Sequence, residues 1–276
     1  MAKRPYIKPE NPAFYRLTVV GTERTSPNFV RVTFGGEDLH GYTPIGHDQW
    51  FRLFLPQKHQ SEPRIPTATS KLWFAQYLAM SKDTKPIVRN YTTRAYRPAD
   101  HAVFGGTTPE IDVDFVAHGD AGPASAWANS ATPGEHVAIL DEGGIYNPIE
   151  APWQLLVGDE SAVPAMLGIL ESAPRDLVAK VFLEVPTQAD VQKVSVGDGV
   201  DIKWIVRSDP HDKPGVAALE AVKRAELPEG HPFAYLAGES GLPTGLRRHL
   251  VNDRQIPKSN VSFTGYWKAG KAAGQV

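Results

Sequence analysis

Near residue 150 the hydrophobic pattern of this chain changes its period. Before that point, short runs rich in β-branched and aromatic residues recur at 15–20 (YRLTVV), 30–34 (VRVTF), 50–55 (WFRLFL) and 111–116 (IDVDFV). Turn-forming Gly, Pro, Asn and Asp separate them, which predicts an antiparallel barrel or sandwich. Residues 58–66 are polar, contain proline and read as a loop, and a helix is expected after Gly122-Pro123, where proline suits a first turn. Beyond the change, strand-like runs at 154–157, 178–185, 202–206, 233–237 and 261–264 alternate with helix-like runs at 162–170, 216–224 and 244–251. Such alternation means βαβ units around a parallel sheet. The segment Asn147-Pro148-Ile149-Glu150-Ala151-Pro152 separates the two patterns. The expected fold is therefore β followed by α/β: an N-terminal antiparallel β-barrel over residues 1–149 and a nucleotide-type α/β domain over 150–276. A chain of 276 residues is long for one core, which agrees with two.

Composition limits the chemistry. Cysteine is absent, so disulfides, zinc–thiolate sites and cysteine-held iron–sulfur clusters are excluded. Redox chemistry would need an organic cofactor or a metal carried by the substrate. The net charge of −2 argues against a general nucleic-acid binder. The start, MAKRPYIKPENPAF, lacks the apolar stretch of a secretory signal, and no run of about 18 apolar residues offers a membrane span. A monomer in the cytoplasm, without stable membrane insertion, is expected.

A barrel could hold a flavin and an α/β domain bring a nicotinamide to it, but fold alone does not establish function. The strongest local signal is Arg89-Asn90-Tyr91-Thr92-Thr93-Arg94. Arg89 or Arg94 can give charge-assisted bonds to a pyrophosphate, Tyr91 can pack on an isoalloxazine ring, and the Thr92 hydroxyl or amide can meet its N5. On a flat strand Arg89 and Tyr91 share one face, with Thr92 and Arg94 on the other. The competing reading is an edge strand with solvated arginines. A second signal runs from His118 to Trp127, HGDAGPASAW, where glycines and a proline precede a helix able to face an anion and Ser125 can donate to it. Trp127 reads as a packing residue.

These segments, together with GDESAVPA at 158–165, Ala237-Gly238-Glu239 and the terminal GYWK at 265–268, occur in one order. Together they resemble the siderophore-interacting protein family, a branch of the ferredoxin-reductase-like flavoenzymes, over about residues 14 to 271. The resemblance implies FAD held by Arg89, Tyr91, Thr92 and Arg94, with His118, Ala124 and Ser125 on the diphosphate and adenosine side. It places NADPH or NADH at Gly158, Asp159, Glu160 and Ser161, where a strand ends before a helix that Ser161 can cap, and at Gly238 and Glu239. It implies a basic set for an anionic ferric siderophore: Arg52, Lys268 and one of Arg247 and Arg248. Arg52 stands where the family commonly has lysine and Lys268 where it often has arginine, which keeps the charge but alters the donor geometry.

The implied reaction passes electrons from the nicotinamide through FAD to siderophore-bound Fe(III), releasing Fe(II). It calls for no catalytic acid or base and no protein metal site, because iron arrives with the substrate. A ferredoxin is the alternative donor. Arg207 offers a partner for a 2′-phosphate, or else is an exposed loop arginine. The rival functions are a general NAD(P)H–flavin reductase and a siderophore carrier without turnover.

Overall fold

The computed structural model describes residues 6–70, 72–104, 106–117 and 122–270. Residues Ile7–Gly144 form one compact unit, and a second begins at Ile145. The first contains β1 (Phe14–Ser26), β2 (Phe29–Gly35), β3 (Trp50–Leu55), α1 (Leu72–Ala79), β4 (Ile87–Thr92), β5 (Ala95–Arg97), β6 (Glu110–Val116), α2 (Pro123–Ser130) and β7 (His136–Gly143). Its strands pair antiparallel in the order β4-β3-β7-β1-β2-β6-β5. The two outermost strands, β4 and β5, are joined only by Thr93 and Arg94. The Thr93 amide donates to Gln49 O and the Arg94 amide to Asp112 O, both at 2.8 Å. The chain thus steps from one edge of the sheet to the other in two residues, which closes it into a barrel.

Alternation along β6 shows how the barrel is held. Ile111, Val113 and Phe115 enter the core with Phe34, Phe51, Leu53, Val137 and Ile139. Each such side chain contributes roughly 1.5–3 kcal/mol on burial. The intervening Glu110, Asp112 and Asp114 are also buried, and arginines cover them. Arg31 grips Asp114 through Nε and Nη2 at 2.7 and 2.9 Å, and Arg97 grips Asp112 through Nη1 and Nη2 at 2.6 and 2.7 Å. Thr33 adds a 2.8 Å bond to Asp112. These paired forks satisfy carboxylates that would be costly to bury alone.

The second unit contains β8 (Gln154–Gly158), α3 (Val163–Ser172), β9 (Ala179–Val185), β10 (Val200–Val206), α4 (Val216–Arg224), β11 (Phe233–Glu239), α5 (Gly241–Asn252) and β12 (Val261–Trp267). Its sheet is wholly parallel, in the order β10-β9-β8-β11-β12. β8, β9 and β11 are buried on both faces, as the near-continuous apolar runs require. The winding reverses beside β8, so the carboxyl ends of β8 and β11 flank the crevice where such sheets take ligands.

Candidate cofactor and substrate sites

In the β3–β4 pair Trp50 lies opposite Thr92, Phe51 opposite Tyr91 and Leu53 opposite Arg89. Tyr91 turns into the barrel, its ring centroid 4.2 Å from that of Phe115, and burial pushes its phenol pKa up. Arg89 is half-buried, and its Nη1 donates to the Val88 carbonyl at 2.7 Å. It meets no carboxylate among the described residues, and lost hydration lowers its pKa. Arg94 is placed differently: its side chain is 10 % exposed, with Nε 3.8 Å from Asp114. The reading of solvated edge arginines therefore fails for Arg94, and Arg89 is the cation short of an anion.

Two further groups on this strand pair make no hydrogen bond among the described residues. Trp50 Nε1 is buried without a hydrogen-bond partner. The hydroxyl of buried Thr92 enters no hydrogen bond among the described residues. A cation lacking an anion, an indole N–H lacking an acceptor and a free hydroxyl fit a dinucleotide bearing a pyrophosphate and a heteroaromatic ring, as FAD does. On α2, Pro123 occupies the first turn, Ala124 is buried in the barrel core and Ser125 is half-buried. Trp127 packs as expected: its ring stacks at 6.1 Å on Phe34 and its Nε1 donates to Glu135 at 2.8 Å. His118 lies outside the described residues.

The turn after β8 departs from expectation. Asp159 is fully buried; its Oδ1 accepts from the Ser161 amide at 3.0 Å and hydroxyl at 2.6 Å, and its Oδ2 accepts from the Glu239 amide at 2.5 Å. The carbonyl of Asp159 takes the amides of Ala162 and Val163 at 2.9 and 3.1 Å. Burial, reinforced by the charge of Glu160, pushes the Asp159 pKa up to about 7. Ser161 thus bonds Asp159 instead of capping α3, which has no side-chain cap. Gly238 has a positive φ of 132°, and a Cβ there would fall between 2.5 and 2.8 Å from the Asp159 carboxyl atoms. That close approach already explains the glycine without a ligand.

Arg207 is 5 % exposed and lies between two buried acids, bonding Glu160 through Nη2 and Glu184 through Nε, the latter at 2.6 Å. Both readings of Arg207 give way, because its fork is neither exposed nor free for a phosphate. Glu184 also accepts the amides of Gly215 and Ala218, each at 2.8 Å, and so fastens the start of α4.

The four basic candidates separate. Arg52 lies in the barrel unit, its Nε 2.5 Å from Glu142 and its guanidinium 5.4 and 4.9 Å from the ring centres of Trp50 and Trp73. Arg247 lies 5.0 Å over the Phe263 ring. Arg248 and Lys268 are exposed, carry no carboxylate partner among the described residues, and line a pocket of about 320 Å³ with Lys213, Glu239 and Thr244. Glu239 Oε2 accepts the Gly241 amide at 2.7 Å and sits 3.5 Å from Lys213 Nζ, while Oε1 accepts the Ala269 amide at 3.2 Å. Burial raises the Glu239 pKa, but these amides and Lys213 outweigh it and leave the group below its usual value. No group of three or more His, Cys, Asp or Glu among the described residues could hold a metal ion.

A model of the siderophore-interacting FAD-binding domain matches residues 18–146, and a model of siderophore-interacting protein matches 151–270. The chain belongs to the siderophore-interacting protein family. It is 33 % identical over 260 residues to the ferric vibriobactin reductase ViuB of Vibrio cholerae, covering 92 % of this chain and 89 % of that protein. It is 30 % identical over 262 residues to the NADPH-dependent ferric-chelate reductase of Escherichia coli, covering 93 % of each. The crystal structure of a siderophore utilization protein from T. fusca matches with a TM-score of 0.79 at 28 % identity, over 95 % of each chain. As a siderophore-interacting protein it is an FAD-dependent oxidoreductase with a barrel and an α/β unit.

Within this family member, Arg89, Tyr91 and Thr92 share one strand, while Arg248, Lys268 and Glu239 share one pocket. Sequence reasoning missed Trp50, Lys213 and Thr244. Trp50 adjoins the Arg52 run but looks like any strand aromatic. Lys213 stands alone in a polar loop, and only the fold brings it to Glu239.

Proposed function

We propose that this protein reduces siderophore-bound Fe(III) to Fe(II) in the cytoplasm, with NADPH as electron donor and FAD as resident carrier. Arg89 carries the reading: a half-buried cation without a carboxylate among the described residues, on a strand pair that also carries an unsatisfied indole N–H, is suited to a pyrophosphate-bearing cofactor. The names of the Vibrio and Escherichia relatives support the acceptor and the donor. When bound, FAD supplies a carrier that takes two electrons from a nicotinamide and gives them up singly, so donor oxidation and iron reduction are separate half-reactions. Arg89 neutralises the pyrophosphate, Trp50 and Thr92 offer donors on adjoining strands, and the Phe115 contact fixes Tyr91. Reduction of the metal ion needs no proton from a side chain, so the protein acts by positioning. Arg248 and Lys268, whose charges are not spent on carboxylates, draw in an anionic chelate; Arg52 and Arg247 contribute less because each is already engaged. Hard oxygen ligands hold Fe(II) weakly, so reduction itself frees the iron.

The test uses FAD-loaded protein under anaerobic conditions, offered NADPH, NADH or reduced ferredoxin separately and then a panel of ferric siderophores with a ferrous-iron trap. NADPH should support iron release, and Lys268→Ala should slow it for anionic chelates, less so as salt shortens the Debye length from about 10 Å at 0.1 M to about 3 Å at 1 M. Electron transfer to free flavins but to no ferric siderophore would establish the general flavin reductase instead. Failure to take up FAD would leave the carrier.

A further inference from the structure

We infer that the 2′-phosphate of the nicotinamide donor binds in the pocket formed by Lys213, Thr244, Arg248 and Lys268, and not at the turn between β8 and α3. This rests on NADPH being the donor.

The usual place is closed from within. A parallel-sheet domain commonly receives the pyrophosphate of a dinucleotide on free amides at the start of the helix after its first strand, and its 2′-phosphate on an arginine nearby. Arg207 is already bound to Glu160 and Glu184. Here the Ser161 amide goes to Asp159 Oδ1, and those of Ala162 and Val163 go to the Asp159 carbonyl. The turn also carries two buried acids, one clamped to β11 and one to Arg207. A phosphate arriving there would find donors already spent and like charges beside it.

The pocket at the end of β11 has the opposite character. Lys213, Arg248 and Lys268 surround one carboxylate, that of Glu239, which leaves an excess of two positive charges. A phosphate monoester near neutral pH carries close to two negative ones. Arg248 can offer its fork to two phosphate oxygens, and the Thr244 hydroxyl can add a donor. The volume of about 320 Å³ suits a phosphate and part of its ribose, not a whole dinucleotide. Gly241 helps to keep it open: a Cβ there would lie 2.7 Å from Glu239 Oε2 and 3.4 Å from Lys213 Nζ. The pocket also borders β11, one of the two strands at the winding reversal.

The same cations are those proposed to attract the chelate. Because the half-reactions are separate, one pocket can serve both anions in turn, and each must leave before the other enters.

The experiment titrates FAD-loaded parent, Lys213→Ala, Thr244→Val and Arg248→Ala with 2′,5′-ADP and with 5′-ADP in a calorimeter, melting curves confirming the fold. The parent should bind 2′,5′-ADP about tenfold or more tightly than 5′-ADP. Arg248→Ala and Lys213→Ala should each erase most of that difference while leaving 5′-ADP affinity unchanged. A redox-inert gallium(III) complex of an anionic siderophore should displace 2′,5′-ADP from the parent. Equal affinity for the two nucleotides, an unaltered preference in both cation variants, or independent binding of the gallium complex overturns the inference. Failure of the reductase reading looks different: the nucleotide preference persists while NADPH releases no iron.

Discussion

Replacing Arg207 by alanine separates a structural arginine from a ligand-binding one. The guanidinium is 5 % exposed and holds Glu160 and Glu184, each no more than 1 % exposed. Removing it leaves two carboxylates buried without their cation, and breaking a buried pair in this way costs about 3–5 kcal/mol. Glu184 keeps its bonds from the Gly215 and Ala218 amides, so it stays in place and cannot escape to water cheaply. For a unit of this size the loss corresponds to a fall in melting temperature of roughly 10–20 °C. Arg207→Lys should recover only part of it, because one ammonium cannot span both acids as the fork does. The assay is thermal unfolding followed by far-ultraviolet circular dichroism, with NADPH and NADH kinetics measured on protein still folded at 20 °C. If the alanine variant melts within 2 °C of the parent but loses its preference for NADPH, the arginine serves the phosphate and the buried-trio argument is wrong.

Arg89→Ala should weaken FAD by about 10–100-fold, the equivalent of a charge-assisted bond worth roughly 1.5–3 kcal/mol; flavin retained through gel filtration shows it, and undiminished retention removes Arg89 from the pyrophosphate. Asp159, with its pKa raised to about 7, makes the folded chain bind more protons than the unfolded chain between roughly pH 4 and 7. Stability from this group is therefore greatest at the acid end of that window and is lost as pH rises through it. Urea midpoints at pH 5, 6, 7 and 8 should show the decline in the parent and a flatter profile in Asp159→Asn, and an equal slope in both would place the titration elsewhere.

The plan of an antiparallel β half followed by a parallel α/β half was legible because each half keeps one hydrophobic period. Elements buried on two sides were harder to read. In β7, Val137 and Ile139 enter the barrel core while Ala138 and Leu140 pack with Phe54 and Trp73 beneath α1. Both phases of the strand are apolar, so it shows no alternation. The helix that covers it, α1, is aromatic-rich and depends on that contact, with Trp73 at 5.9 Å from Phe54. The β8–α3 turn misled for another reason. Its residues satisfy the local pattern of a phosphate-binding turn, but their roles are set by Glu239 and Arg207, 80 and 47 positions away. A local pattern cannot reveal donors already spent on distant partners.

The same subtraction organises both units. The 29 lysines and arginines stand against 31 acids in a chain with net charge −2, so counting charges finds no site. Burial assigns the partners. On the barrel, Asp112 and Asp114 take Arg97 and Arg31, and Arg94 also approaches Asp114, while Arg89, five residues before Arg94 in the same run, meets no carboxylate among the described residues. In the α/β unit Glu160 and Glu184 take Arg207, and Glu239 takes part of Lys213, while Arg248 and Lys268 stay exposed at the rim of one pocket. Structural acids thus remove the cations that only hold the fold. Among the cations without such a partner are Arg89 on the β3–β4 pair and Arg248 and Lys268 at the end of β11, where the proposed anionic cofactor, donor and chelate would each need a positive counterpart.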